Sequence, residues 1–246
     1  MSIETGQISG FEALARWIHP DQGTILPGEF IPSLVKLNLL GRLSEVMLAK
    51  SLAAMRHWDR CGYSIPRIAV NFSSQELSDP NIVDRLKWDL DRFGLTPQRI
   101  CIEVLEGVIA DPRCDLIVNN IKKLSDLGCK IDLDNFGTGH ASIANIRRFA
   151  VDRIKIDRSF ITNVDRDPEQ RNMVAAILNM AERLNIDTLA EGVETLGEHA
   201  TLAQLGCSHI QGFSVAKPMP VEEIDRWIVQ FRRRLPNDEN IGRKAC

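Results

Sequence analysis

Short apolar runs alternate along the chain with longer stretches in which apolar residues recur every three or four positions. The runs at 8–14, 67–72, 99–105, 129–134, 152–157, 186–191 and 207–211 have the length and the Ile/Val content of about seven strands. Between them, Ile117, Ile121, Leu124 and Leu127 mark one helical face, and Val174, Ile177, Leu178 and Ala181 mark another. Asp79-Pro80 and Asp167-Pro168 each place a capping acid before a proline, which predicts a helix beginning at the proline. Gly128 and Gly206 stand where a helix must stop and turn into a strand. A strand–helix–strand pattern repeated along one chain predicts a parallel sheet with right-handed crossovers. No linker rich in Pro, Gly or Ser divides it, so one α/β domain is expected over 7–233, with a frayed tail over 234–246.

The 246 residues carry 30 Lys+Arg against 33 Asp+Glu, a net charge of -3. That balance predicts no DNA or RNA partner, because a nucleic-acid binder carries a basic excess. No apolar run is long enough to cross a bilayer, and Met1 is not followed by a signal-type apolar segment. The six cysteines are scattered without a Cys-x-x-Cys pair, which predicts neither a zinc motif nor a disulfide framework and points to a reducing cytoplasm.

The strand ends choose between the two parallel architectures. Read to their C-terminal ends, the runs finish on or near Glu12, Asn71, Glu103, Asp134, Lys155, Glu191 and Gln211. An open doubly wound sheet draws functional groups from only a few strands, at its switch point. A TIM-type (β/α)8 barrel gathers every strand end around one mouth, and this is the architecture expected. Four carboxylates crowded there repel one another unless a cation sits among them. Oxygen ligands without His or Cys favour a hard cation, Mg²⁺ or Mn²⁺, and Lys155 adds a mobile positive charge. Such a set suits attack of water on a phosphodiester. Taken singly, each acid also reads as a helix cap or an ion-pair partner, and Asn71 as a turn former.

The local motifs sharpen this picture. Phe11-Glu-Ala-Leu14, Val70-Asn-Phe-Ser73, Ile102-Glu-Val-Leu-Glu106, Asp134-Asn-Phe-Gly-Thr-Gly139, Ile154-Lys-Ile-Asp157, Ala190-Glu-Gly-Val-Glu194 and Gln211-Gly-Phe213 occur in this order across nearly the whole chain. Together they resemble the EAL-domain cyclic di-GMP phosphodiesterases. The resemblance implies a modified TIM barrel that opens cyclic di-GMP to linear pGpG with one or two Mg²⁺ or Mn²⁺ ions. It implies Glu12, Asn71, Glu103 and Asp134 as ligands of a first ion, with Asp134, Asn135 and Glu191 serving a second. Lys155 would hold the attacking water or the phosphate, and Glu191 and Lys155 form the catalytic pair. Leu14, Arg16 and Gln211 would contact substrate. Glu106, Gly137, Gly139 and Glu194 would support the surrounding loops.

Two departures from that pattern set further expectations. Asn135 stands where the family has a second aspartate, which weakens the second cation and raises the alternative of a cyclic di-GMP receptor with little or no turnover. Residues 1–6 resemble only the turn of an N-terminal hairpin, so the barrel is expected to lack its usual first strand. A homodimer is expected, with Ile143, Ile146 and Phe149 as contact residues or as core, and so are fused sensory or GGDEF-type domains in a longer parent.

Overall fold

A computed structural model describes residues 1–109, 115–138, 146 and 148–234. Its main sheet comprises β1 (Phe11–Glu12), β4 (Ile68–Asn71), β5 (Ile100–Leu105), β6 (Lys130–Phe136), β7 (Arg153–Ile156), β8 (Asp187–Ala190) and β9 (His209–Ile210), all parallel and in chain order. Between β1 and β4 a small antiparallel hairpin, β2 (Trp17–His19) and β3 (Gly23–Ile25), is followed by α1 (Pro27–Lys36) and α2 (Leu40–Arg60). The remaining helices are α3 (Ser74–Leu77), α4 (Ile82–Phe93), α5 (Glu106–Ile109), α6 (Asp115–Leu127), α7 (Arg158–Ile161), α8 (Pro168–Leu184), α9 (Leu196–Gln204) and α10 (Val221–Arg234) among the described residues.

The sheet curls. Gln211, which follows the last strand, donates a hydrogen bond to Glu12 of the first, so the two edges meet at the mouth. At the opposite end residues 1–3 lie antiparallel to β9: Met1 exchanges hydrogen bonds with Ile210 at 2.9 Å, and the Ile3 amide donates to Ser208 at 3.0 Å. The expected turn at residues 4–6 is present, and the Ser2 amide donates across it to Gln7. The segment before β1 is therefore more than a turn, since it contributes a short antiparallel bridge to the rim of a partial TIM-type barrel.

Buried parallel strands take apolar residues on the face covered by helices. Ile100, Ile102, Val104, Ile131, Leu133, Ile154 and Ile156 supply that face and join one core with residues of α2, α4, α6 and α8. The alternate positions include buried charged residues, Glu103, Asp132, Asp134, Arg153 and Lys155. Arg153 pairs with Asp132 there, its Nε 2.7 Å from the carboxylate, with both side chains buried. One period of two further on, Asp134 and Lys155 occupy the mouth.

The capping expectations divide. Asp167 caps α8 as expected, accepting from the Glu169 and Gln170 amides, with Pro168 at the first helical position. Asp79 instead holds a preceding turn, accepting from the Asn81 amide, and α4 begins two residues after Pro80. Of the expected contact residues, Ile146 and Phe149 are buried in the core of this chain, and Ile143 lies outside the described residues. The expected tail is described only at Arg234, where α10 ends. No helix of the described residues is long and apolar enough to cross a membrane.

Candidate active site

The C-terminal ends of the strands bring the expected acids together around one cation. Lys155 on β7 is 1% exposed, and its Nζ lies 2.7 Å from Glu103, 2.9 Å from Asp134, 2.9 Å from Glu191 and 3.4 Å from Glu12. The four acids come from β5, β6, the loop after β8, and β1. Lys155 is thus a fixed counter-ion at the centre of the ring, where sequence reasoning expected a mobile one. Asn71, the last residue of β4, donates to Glu103 at 3.2 Å, and Gln211 holds Glu12 from the other side.

Burial and mutual repulsion shape the charges. Burial opposes a positive Lys155, yet the four carboxylates outweigh it and push its pKa well above the ordinary lysine value. Burial pushes Glu103 well above the usual carboxylate range against the pull of Lys155, and repulsion from Glu12 and Asp134 adds to it. Glu191 rises to about 7 for the same reason, burial first, with the Asp134 charge contributing. Glu12 goes the other way: burial works against its charge, but Lys155 and the Gln211 hydrogen bond hold its pKa below the usual value. Two neighbouring acids therefore differ in proton affinity, a common feature of acid–base sites.

The loop after Asp134 is shaped by a bulge. Leu133 pairs with Ile154 and Phe136 with Ile156, so Asp134 and Asn135 together stand opposite Lys155 alone. Asn135 absorbs the extra residue in a left-handed conformation, φ 54°, which asparagine tolerates better than most residues. Gly137 follows at φ 99°, and a Cβ there would stand 2.6 Å from the Phe160 ring. The Gly137 amide donates to Glu106 at 3.0 Å, which ties this loop to the start of α5. Gly139 lies outside the described residues.

Leu14 and Arg16 follow Glu12 out of the barrel and are exposed, with the Arg16 guanidinium 2.7 Å from the Ala15 carbonyl. Glu194 does not reach the ring, and its carboxylate pairs instead with Arg158 at 2.9 Å. The support expected of it falls to a residue that sequence reasoning missed. Glu198, 5% exposed, accepts from the Asn163, Glu194 and Thr195 amides and so clamps the loop that carries Glu191. The signal was present: Thr195-x-x-Glu198 is a capping box at the start of α9.

The donor set fits a divalent cation. Its protein atoms are oxygens, four acids face a single ammonium, and Asp134 Oδ1 is buried with no aligned hydrogen bond although Lys155 lies 2.9 Å away.

The family model for the EAL domain matches residues 1–218. The chain belongs to the EAL domain family. It is 36% identical over 220 residues to the bifunctional diguanylate cyclase/cyclic di-GMP phosphodiesterase MucR of Pseudomonas aeruginosa, covering 89% of this chain and 32% of that protein. It is 33% identical over 229 residues to the cyclic di-GMP phosphodiesterase PdeR of Escherichia coli, covering 93% of this chain and 34% of that one. This EAL chain thus spans about a third of the length of these curated relatives. The solved PaMucR phosphodiesterase in complex with c-di-GMP superimposes with a TM-score of 0.85 at 35% identity, covering 91% of this chain and 90% of that one.

Proposed function

We propose that this EAL domain hydrolyses cyclic di-GMP to linear pGpG. The observation that carries the reading is the convergence of Glu12, Glu103, Asp134 and Glu191, from separate strands, on one buried point at the barrel mouth. Likeness to a c-di-GMP complex over nine-tenths of both chains supports the substrate. Glu12, Asn71, Glu103 and Asp134 are the residues that would hold a first Mg²⁺ or Mn²⁺, and Asp134, Asn135 and Glu191 a second. When bound, such an ion activates water and offsets charge developing on the phosphoryl oxygens.

The chain's own groups supply the remainder. Water attacks phosphorus and the bond to the bridging sugar oxygen breaks. Glu191 stands beside Lys155 at the mouth, where it would take the proton of the attacking water and pass it to the departing sugar oxygen, which leaves as a hydroxyl. Lys155, held positive by the four carboxylates, would serve as an electrostatic anchor for water or phosphate. Arg16 reaches from the rim to a phosphate, Leu14 covers the sugar or base, and Gln211 keeps Glu12 oriented. Glu106 and Glu198 hold the two loops in place.

A second reading, a receptor that binds cyclic di-GMP with little turnover, is favoured by Asn135, which brings an amide where the second ion calls for charge. Incubation with cyclic di-GMP and Mg²⁺ or Mn²⁺ separates the two. Linear pGpG supports the hydrolase; binding by equilibrium dialysis without product under either metal supports the receptor. A cytoplasmic setting fits the free thiols at Cys61, Cys101, Cys129 and Cys207, and a homodimer fused to sensory or GGDEF-type domains completes the proposal.

A further inference from the structure

Away from the barrel mouth, the C-terminal end of α2 meets α10, and three side chains of ligating type converge there. His57 Nε2 lies 2.7 Å from Asp225 Oδ2, and Cys61 Sγ lies 3.6 Å from the same nitrogen. The ligand atoms of these three residues all lie within 4.8 Å of one another.

The pattern of contacts decides what the cluster can do. In a nucleophile–histidine–acid relay, the acid and the nucleophile occupy opposite ring nitrogens. Here both meet Nε2, so the contacts are not those of a relay; His57 and Asp225 form an ion pair with the Cys61 thiol beside it, and an ion shared by the three groups would take the place of the proton in that pair. A tetrahedral ion with bonds of about 2.0 Å to nitrogen and oxygen and about 2.3 Å to sulfur spaces N and S about 3.5 Å apart and N and O about 3.3 Å apart. The first spacing is already met. The second requires the carboxylate to withdraw by about 0.6 Å as the ion replaces the shared proton. Asp225 Oδ1 is buried without a hydrogen-bond partner, so the carboxylate lacks a competing anchor on that oxygen, and Cys61 is an exposed free thiol.

We propose that His57, Cys61 and Asp225 bind a zinc-type ion, with solvent at the fourth position, and that the ion clasps α10 to α2. A mixed nitrogen, sulfur and oxygen set selects a borderline-soft cation over Mg²⁺. His57 and Cys61 are one helical turn apart, while Asp225 lies 168 residues beyond His57, which is why no local spacing in the sequence displays the site. The two helices are already aligned without the ion: Phe11 packs against Trp58 of α2 and against Trp227 of α10, with ring centroids 5.1 and 5.8 Å apart. The ion therefore adds a tether to a formed interface.

The test is alkylation of Cys61 in the full chain, mapped by mass spectrometry, as zinc is titrated in the presence of saturating Mg²⁺ to occupy the barrel mouth. With zinc a hundredfold above its Kd, Cys61 reacts about a hundredfold more slowly. His57→Ala and Asp225→Ala each move that protection to at least roughly tenfold higher zinc, as loss of one of three ligands requires. Cobalt gives a thiolate charge-transfer band that Cys61→Ser abolishes. Unchanged labelling under zinc overturns the proposal, and so does protection that survives both ligand substitutions undiminished, which would report a lone thiol binding metal.

Discussion

Replacing Lys155 with methionine keeps most of the side-chain volume and removes the ammonium that pairs with Glu12, Glu103, Asp134 and Glu191. The four contacts share one ammonium and cannot be summed as independent pairs. Removing one partner from a buried charge cluster costs about 3–5 kcal/mol, and the 1% exposure of Lys155 places this case inside that class. For a domain of this size the loss corresponds to about 10 °C in Tm. The deficit should widen as pH rises. Without the ammonium, the folded carboxylates hold protons that the unfolded chain has already released, so the folded state binds more protons and loses stability with increasing pH. Urea unfolding in a chelator, for wild type and Lys155→Met, measures the cost; Mg²⁺ or Mn²⁺ should then recover much of it, because a divalent ion replaces the missing charge. Equal midpoints in chelator would refute the reasoning, since they would show that the ring does not depend on a central cation.

Other consequences follow from single contacts. Asn135→Asp supplies a charge at the bulge, so second-metal affinity and turnover should each rise about tenfold or more, near 1.4 kcal/mol, by metal titration and pGpG release; no change removes Asn135 as the weak point. Glu106→Ala strands the Gly137 amide, worth about 1–3 kcal/mol, and should lower stability and kcat together in unfolding and hydrolysis assays. His209 is held neutral, its pKa lowered to about 4 by burial and the nearby Arg153 charge. A depressed histidine pKa means that its stabilising contribution is complete above about 6.5 and is lost as pH falls towards about 4. After allowance for the solvent that reaches the ring, about 1–2 kcal/mol should disappear by pH ~5, and His209→Asn should flatten that limb of the pH–stability curve.

The strands and their order were legible because buried parallel strands announce themselves as apolar runs, and β5 and β7 lie within the runs read for them. The ring was legible because a period of two carries a polar residue to the inner face at each strand end: Glu103, Asp134 and Lys155 all sit there. What the pattern could not convey is distance. Lys155 read as a mobile charge because its burial depends on four residues far away in sequence. Glu194 read as a support because it adjoins Glu191, yet Arg158 captures it, and Glu198 takes the amides of that loop instead. The β2–β3 hairpin went unseen because Trp17, Ile18 and His19 show no buried alternation, and Asp79 was misplaced because a turn intervenes before α4. His57 and Asp225 meet only in three dimensions.

Whether the strand-end acids gather a divalent ion can be seen in a crystal of the full chain soaked in Mn²⁺ and measured for anomalous scattering. A manganese peak is expected among Glu12, Asn71, Glu103 and Asp134, with the Lys155 ammonium displaced from at least some of its four partners. A map with no peak at the barrel mouth, and with Lys155 still bound to all four acids at saturating manganese, would contradict this expectation.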